Sequence, residues 1–462
     1  MRRGFAGGGR PQRPYPRAPM APSFPTLTLR GGPPVHPYVY SKRVMSADRS
    51  MRDGDVVRVL TREGKPCGFG FGHRGSQVAV RMLSYDPEVV PDEAWLRARL
   101  AAAEALRRDV LRLPEGTDAW RVVHAEGDGL SGLVVDRYAR TAVVGLFSLG
   151  WFRRSEELAR VLREVLDVDT VVLRADEKTE RQEGFQAPAP PRVRPVRIRE
   201  RDVAFEVDPA GGHKTGFFLD QRENRARLSA LARGRSVFDG MTYTGGFALS
   251  AALGGARTVR GMDLDEEAVA QAQRNLALNR LPAGTTVRFD HGDVFDALRA
   301  YIAGPEAERP EVLVVDPAKW ARDRAGLGAA LAKYRDLNRL ALEAVRPGGL
   351  VLTCSCSGLV SEEAYLGVVR EAALDVRREV RMLSVTGAAA DHPVAGAFPE
   401  GRYLKAVFLA VGAPGSGPGR SPGAGAPPAW EGRRGRRRRG DAAEPGHEDG
   451  AGPPDGGGAD DA

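Results

Sequence analysis

Residues 236–255 read SVFDGMTYTGGFALSAALGG, and the fold turns on them. SVFDGM (236–241) has the apolar run of a buried strand, and GGFALSAALGG has helical periodicity with glycines at its stop. Between the two lie Asp239, Tyr243, Gly245 and Gly246. Two glycines at a strand-to-helix turn let a ligand approach the backbone and leave helix N–H groups open to it. The turn is not G-x-G-x-x-G, and nothing resembles a Walker Lys-Ser/Thr, which argues against NAD and ATP.

The alternation continues downstream. Strands are predicted at TVRGMDL (258–264), TVRFDHG (286–292), EVLVVDP (311–317), GGLVLTCS (348–355) and YLKAVFLAVG (403–412). Helices are predicted at DEEAVAQAQRNLALNRL and AKYRDLNRLALEAVRPGG. Near-continuous apolar strands separated by helices imply an α/β, mostly parallel, doubly wound sheet over 200–412. Ligands of such sheets bind beyond the carboxyl ends of the strands. Those ends carry Asp263, 18 residues after Gly245 and suited to ribose hydroxyls; Asp293, suited to an adenine amine; then Asp316-Pro317-Ala318-Lys319-Trp320. Singly, a Gly-rich turn is ordinary turn chemistry and a strand-end Asp is often a helix cap. In this order they describe an adenosine-containing cofactor without a phosphate cradle, for which S-adenosylmethionine is the expectation.

Upstream, TLTL, PYVY, DVVRVLT, CGFGFG and QVAVRMLS with turns at REGK and GHRGS predict a small β-barrel over 25–88. A helix at 92–111, several strands and a second helix (155–166) predict a small α+β unit over 89–199, closing in the Pro-rich link APAPPRVRP (187–195). Residues 1–24 and 413–462 are rich in Gly, Pro and Arg and are expected to be disordered, because such composition buries too little apolar surface to offset ordering.

The formal charge is +8, with five arginines and no acid in residues 1–24 and seven arginines against eight acids in 412–462. A mildly basic centre, an Arg-rich arm and the run RRGRRRRG (433–440) fit a polyanion partner, RNA above all. No apolar run reaches the roughly 18 residues of a membrane span. The basic start lacks the apolar core of a secretory signal. Three cysteines make no disulfide framework, so a reducing, cytoplasmic setting is expected. The seven histidines do not cluster and no C-x-x-C occurs, so no metal site is expected. Oligomeric state is not readable from these features.

Five blocks then point one way: GGHKTGFFLDQRENR (211–225), DGMTYTGGFALSAALGGA, DPAKW, TCSCSG and ADHPVAGAFPEGRYLK (390–405). Together they resemble the large-subunit (23S) ribosomal RNA methyltransferase I family, class I S-adenosylmethionine enzymes that form 5-methylcytosine. HPYVYSKRV (36–44) is similar to that family's PUA domain, a small RNA-binding barrel, and EGDGLSGLVVDRYA (126–139) to its central domain. The resemblance spans about residues 25–412. It implies cofactor contacts at Gly245, Gly246 and Asp263, with Phe218 and Gln221 at the methionine end; Asp239, Tyr243, Asp293 and Asp316 complete the expected cofactor set.

The resemblance also implies a nucleophile. Carbon 5 of cytosine is unreactive until a thiolate adds to carbon 6, one hard step divided into easier ones. Strand alternation puts Cys354 and Cys356 on the same side, so spacing does not choose between them; the family pattern selects Cys356. A free thiol is only a few per cent ionised at neutral pH, so a positive neighbour, Lys319 or Lys214, is expected to help. Asp316 is expected to hold the cytosine N3 edge, with Pro317 and Lys214 at the substrate. Ala318 departs from the family's Asp-Pro-Pro; it loosens the loop and restores a backbone N–H. Two alternatives stay open: methylation of a guanine ring nitrogen, which needs no thiol, and a non-catalytic RNA- and cofactor-binding assembly factor.

Overall fold

The computed structural model describes residues 24–211, 216–321 and 323–419. Among them, a seven-stranded sheet dominates the C-terminal half. Its strands are β1 (Ser236–Gly240), β2 (Thr258–Asp263), β3 (Thr286–His291), β4 (Val312–Val315), β5 (Leu350–Ser355), β6 (Arg378–Thr386) and β7 (Lys405–Pro414). They lie in the order β3-β2-β1-β4-β5-β7-β6. All neighbours are parallel except β7, which runs antiparallel to both β5 and β6. Helices α1 (Gly246–Leu253), α2 (Glu266–Ala277), α3 (Val294–Ala303), α4 (Leu327–Ala344) and α5 (Glu362–Val376) cross between strands. The core strands are buried on both faces, which is why they read as unbroken apolar runs: all four residues of β4 are fully buried.

The order places the crevice outside the carboxyl ends of β1 and β4, where the winding reverses direction. β6, α3 and α5 were not foreseen from sequence. β7 extends to Pro414, two residues past the expected end of this unit, and Ser416 Oγ accepts from the Glu379 N–H.

Residues 26–84 form a six-stranded sheet whose apolar face gathers around Leu29, Val39, Val57, Val59 and Val80. A four-stranded sheet follows (Ala119–His124, Leu133–Tyr138, Thr141–Leu146, Thr170–Arg174), one face covered by helices Glu93–Ala105 and Ser155–Leu166. Its other face is not a boundary. Ala119, Tyr138, Val143 and Val172 belong to the same apolar cluster as Val237 and Leu352 of the large sheet and Ala248 of α1. An antiparallel hairpin (Val196–Glu200 with Val203–Val207), astride the boundary expected at 200, contributes Ile198 and Phe205 to this shared core.

A buried polar seam joins the units. The helix at Glu93–Ala105 continues through a wider turn in which the Leu111 N–H reaches the Leu106 carbonyl five residues back. That turn buries Arg107, whose guanidinium grips Asp128 through two bonds (2.5 and 2.9 Å) and donates to the Asp391 carbonyl at 2.6 Å. The Asp391 carboxylate pairs with Arg222 at 2.6 Å and accepts from the Arg121 N–H at 2.9 Å. Burial alone would raise this carboxyl, but His392 and Arg222 outweigh it and hold it well below the usual carboxylate range. Gly127 lies so close to Pro393 that a Cβ would sit 2.0 Å from its carbonyl oxygen, so only glycine fits. Nearby, His36, Tyr38 and Phe398 meet edge to face, tying the N-terminal sheet to the same segment.

His124 completes the seam. Arg121 Nη1 stands 3.0 Å from His124 Nδ1, and burial, reinforced by His392, pushes the imidazole pKa well below its ordinary value. The ring is neutral when folded and takes a proton below about pH 6.5 when unfolded, so its contribution is present above that pH and is lost on acidification. Acids raised by burial pull the other way over the same range, so the midpoint is read against a variant. Between about pH 7.5 and 5.5 the urea midpoint of the natural protein is expected to fall relative to that of His124→Gln, and a difference that does not change with pH rules this role of His124 out.

Candidate active site

The loop after β1 is held in an unusual conformation: Met241, Tyr243 and Gly245 all have positive φ (62°, 50° and 87°). Two non-glycine residues in that region are costly and persist only where surroundings enforce them. The enforcement is visible. Asp239, almost fully buried, accepts from Thr242 Oγ1 (2.5 Å) and the Ala248 N–H (2.9 Å), and burial pushes its carboxyl up to about 7. The Thr242 N–H bonds the Met262 carbonyl, and the Tyr243 N–H bonds Asp263 Oδ2 at 2.8 Å. Asp263 Oδ1 takes the Asp265 N–H at 3.1 Å. The β2 carboxylate thus fixes the β1 loop while presenting its remaining lone pairs to the crevice.

That crevice is a cavity of about 820 Å³. Of the residues expected from sequence, Phe218, Gln221, Tyr243, Gly246, Asp263, Asp293, Asp316, Pro317, Lys319 and Cys356 line it. Asp239 and Gly245 do not, which corrects their expected role as cofactor contacts. Asp239 anchors the loop from beneath. Gly245 is needed for its φ and because a Cβ there would meet Phe289 at 2.9 Å, so its freedom serves the turn and not ligand approach. Lys214 lies outside the described residues. Asp293 serves twice, capping α3 through the Phe295 N–H (2.7 Å) while facing the cavity. Exposed Leu264 adds an apolar wall beside Asp263.

At the far end the structure separates the two cysteines. Cys354 is fully buried in the core shared with Leu352, and burial, then Asp316, pushes its thiol well above the ordinary value. Cys356 lies just past β5, partly exposed, on the cavity wall. The two thiols therefore differ in exposure: Cys354 stays within the ladder, opposite Ala406, whereas the chain leaves the ladder after Ser355 and sets Cys356 at its rim. The Cys356 loop is pinned on each flank. Ser355 Oγ donates to the Tyr334 hydroxyl (3.0 Å), which lies 3.1 Å from Ser357 Oγ; Ser357 Oγ also accepts from the Ala321 N–H. Tyr334 packs on Trp320 (centroids 4.7 Å), whose ring also takes the Lys333 ammonium at 4.3 Å. The Asp316–Ala321 and Cys356 loops are thereby one unit.

Asp316 sits at the end of β4. Its Oδ2 accepts from Gln221 Nε2 (2.9 Å), and Gln221 is aligned by Asn224 Nδ2 on its Oε1 (2.7 Å). Although the residue keeps a face on the cavity, its carboxyl is enclosed by protein; burial, then the charge of Asp220, pushes it up to about 7. Asp220, Asn224 and Tyr403, whose hydroxyl donates to Asp220 Oδ2 at 2.7 Å, were not singled out from sequence. The block TGFFLDQREN was the available signal for Asp220 and Asn224, and ADHPVAGAFPEGRYLK for Tyr403.

The fold and this geometry have relatives. A family model described as S-adenosylmethionine-dependent methyltransferase matches residues 190–382, and one described as PUA-like domain matches 35–85. Proteins named ribosomal RNA large subunit methyltransferase I are 36% identical to the chain. The one from Shewanella amazonensis aligns over 385 residues, 81% of this chain and 95% of its own; that from Aeromonas salmonicida aligns over 381 with the same coverage. The chain belongs to the ribosomal RNA large subunit methyltransferase I family. A crystal structure of SMU.776, a methyltransferase complexed with SAH, shares the fold at TM-score 0.68 and 19% identity, covering 83% of this chain and 99% of that one. Membership brings S-adenosylmethionine as cofactor, and the cavity's lining suits it, with the carboxylates of Asp263 and Asp293 beside the apolar Leu264. Among the described residues no group of His, Cys, Asp and Glu is arranged to hold a metal, and no helix is long and apolar enough to cross a membrane.

Asp263→Ala is expected to weaken S-adenosylmethionine binding by about 1.5–3 kcal/mol, the range for hydrogen bonds to a charged group. Release of the Tyr243 and Asp265 N–H groups favours the upper end. Calorimetry giving unchanged affinity for a folded variant removes Asp263 from the site.

Proposed function

We propose that the protein methylates carbon 5 of a cytosine in large-subunit ribosomal RNA, with Cys356 as transient nucleophile. The observation that carries this reading is the placement of Cys356 in the cavity that also holds Asp263 and Asp316, while the neighbouring thiol is sealed in the core. Bound S-adenosylmethionine supplies an electrophilic methyl group. The chain's part is to make carbon 5 a nucleophile. The Cys356 thiolate adds to carbon 6, and Asp316, able to keep its proton near neutral pH, donates to N3 as negative charge develops on the ring. Gln221 orients that carboxyl. Loss of the carbon 5 proton to water, with return of the N3 proton to Asp316, then restores the double bond and expels the thiolate. Tyr243, Phe218 and Gly246 shape the cofactor end, and Pro317 and Lys319 border the base.

The three units divide the work in this reading: residues 25–88 grip RNA, 89–199 brace, and 200–412 catalyse. Mass analysis of ribosomal RNA nucleosides from a strain lacking the gene tests the product. Loss of one 5-methylcytidine supports it; loss of a methylguanosine transfers the assignment to a ring nitrogen; no change leaves a non-catalytic factor.

The Arg-rich C-terminal segment is expected to add affinity, not chemistry. Because β7 runs to Pro414 and Ser416 braces β6, the removable part begins after residue 419, not at 413. Deleting 420–462 is expected to leave turnover at saturating RNA nearly intact and to flatten the dependence of binding on salt. Loss of turnover at saturation gives the segment a catalytic part instead.

A further inference from the structure

Lys405 is a lysine where a lysine is costly. It lies on β7 directly opposite Ser355 of β5, between two strands, and only 2% of it is exposed. Its ammonium donates to the Ser357 carbonyl and to the Tyr403 carbonyl, each at 2.6 Å. Burying an ammonium on neutral carbonyls carries a substantial desolvation cost, and an apolar residue would fill the ladder position without it. What the position gains includes contact with the backbone immediately after Cys356.

We propose that Lys405 is a positioning residue for Cys356, fixing the backbone that aims the thiol into the cavity and setting an ammonium one residue behind it. The inference rests on Cys356 being the nucleophile and adds the cation that the thiolate requires, a role the sequence assigned to Lys319 or Lys214. The two cations act differently. Lys319 is on the cavity wall, whereas Lys405 is buried in the sheet and is not part of that wall.

The ionisable groups around Cys356 come from several elements. Tyr334 reaches it from α4, Tyr403 from the segment before β7, Cys354 from β5, and Asp316 with Lys319 from the facing loop; Asp220 lies behind Asp316. Tyr334, Tyr403 and Cys354 are all shifted upward, chiefly by burial, and stay neutral while the thiol titrates. Asp316 opposes a thiolate only above about 7, where its own proton leaves. The lysines are then the charges that favour ionisation, and Lys405 is the buried one.

The test needs no RNA. Iodoacetamide alkylation of the full chain is followed from about pH 6 to 10, with the Cys356 peptide quantified by mass spectrometry. Lys405→Gln keeps a donor and removes the charge. Its Cys356 midpoint is expected at least about one pH unit above that of the natural protein, with alkylation near neutral pH about tenfold slower and the two curves converging at high pH. On target RNA, kcat is expected to fall in parallel while KM for RNA and the cofactor Kd hold. Superposable curves overturn the proposal, as does a loss of the same factor at every pH, which marks a purely structural lysine. Should Lys405→Gln not fold, the natural protein decides: its native Cys356 must titrate below the same thiol in the urea-unfolded chain, and a native midpoint equal or higher overturns the proposal. Failure of the underlying cytosine reading shows elsewhere, as methylation that survives Cys356→Ala.

Discussion

Cys356→Ala is expected to abolish methylation, by on the order of 10⁴- to 10⁶-fold, as removal of a covalent nucleophile does. Target RNA carrying 5-fluorocytidine makes the step visible. After methyl transfer the carbon 5 substituent must leave as a proton before carbon 6 can release sulfur, and fluorine does not leave that way. Natural protein, S-adenosylmethionine and such RNA are therefore expected to give a complex that survives denaturation, with the crosslink mapping to Cys356. Cys354→Ala is expected to keep both complex and turnover. Its thiol is sealed in the core and held protonated by burial, so the substitution removes one buried sulfur and costs only the stability of a small cavity. A crosslink on Cys354 reverses the assignment of the two thiols. Methylation without any adduct excludes the covalent route and favours a ring nitrogen.

The second large effect is on stability. Asp391→Ala is expected to destabilise the protein by about 3–5 kcal/mol, because it leaves the Arg222 charge and the Arg121 N–H buried without their partner. Against a typical total of about 5–15 kcal/mol this is a large fraction. Because the folded carboxyl is held well below its ordinary value, the stabilisation is present above about pH 4 and is lost only as the pH falls through that depressed value. Urea unfolding at neutral pH checks the magnitude. A shift under about 1 kcal/mol means that the seam repacks or hydrates without its acid.

What the sequence disclosed follows from which interactions are local. The strands β1, β4, β5 and β7 were legible because a strand buried on both faces is a near-continuous apolar run, and β2 and β3 from shorter, half-exposed runs at the regular strand–helix spacing. β6 was not: as an edge strand reading REVRMLSVT, with Met382 and Leu383 exposed, it lacks both an apolar run and clean alternation. The hairpin Val196–Glu200 hid for a related reason, since its arginines interrupt the pattern. At the site, Asp263, Asp293, Asp316 and Cys356 were found because strand ends are positions a sequence can mark. Asp239 and Gly245 were placed one layer too far forward: nothing local says whether a loop residue faces a ligand or its own loop. Asp220, Tyr403 and Lys405 were out of reach because their partners lie up to 183 residues away. The block ADHPVAGAFPEGRYLK carried family resemblance, but its physical task, closing the seam and the Cys356 loop from one short segment, appears only in three dimensions.

The position of β7 has a consequence for how the protein comes into being. Among the described residues the strand latest in the chain is not at the margin of the sheet but between β5 and β6, and β6 has no other neighbour there. As the nascent chain emerges, the first six-stranded sheet can settle early, as units near the start generally do, while β6 must wait unpaired for the strand that follows it. The same late segment brings Asp391 to its arginines and Lys405 to the loop of the nucleophile. A chain in which β7 is not yet inserted therefore has neither a closed seam nor a braced Cys356 loop.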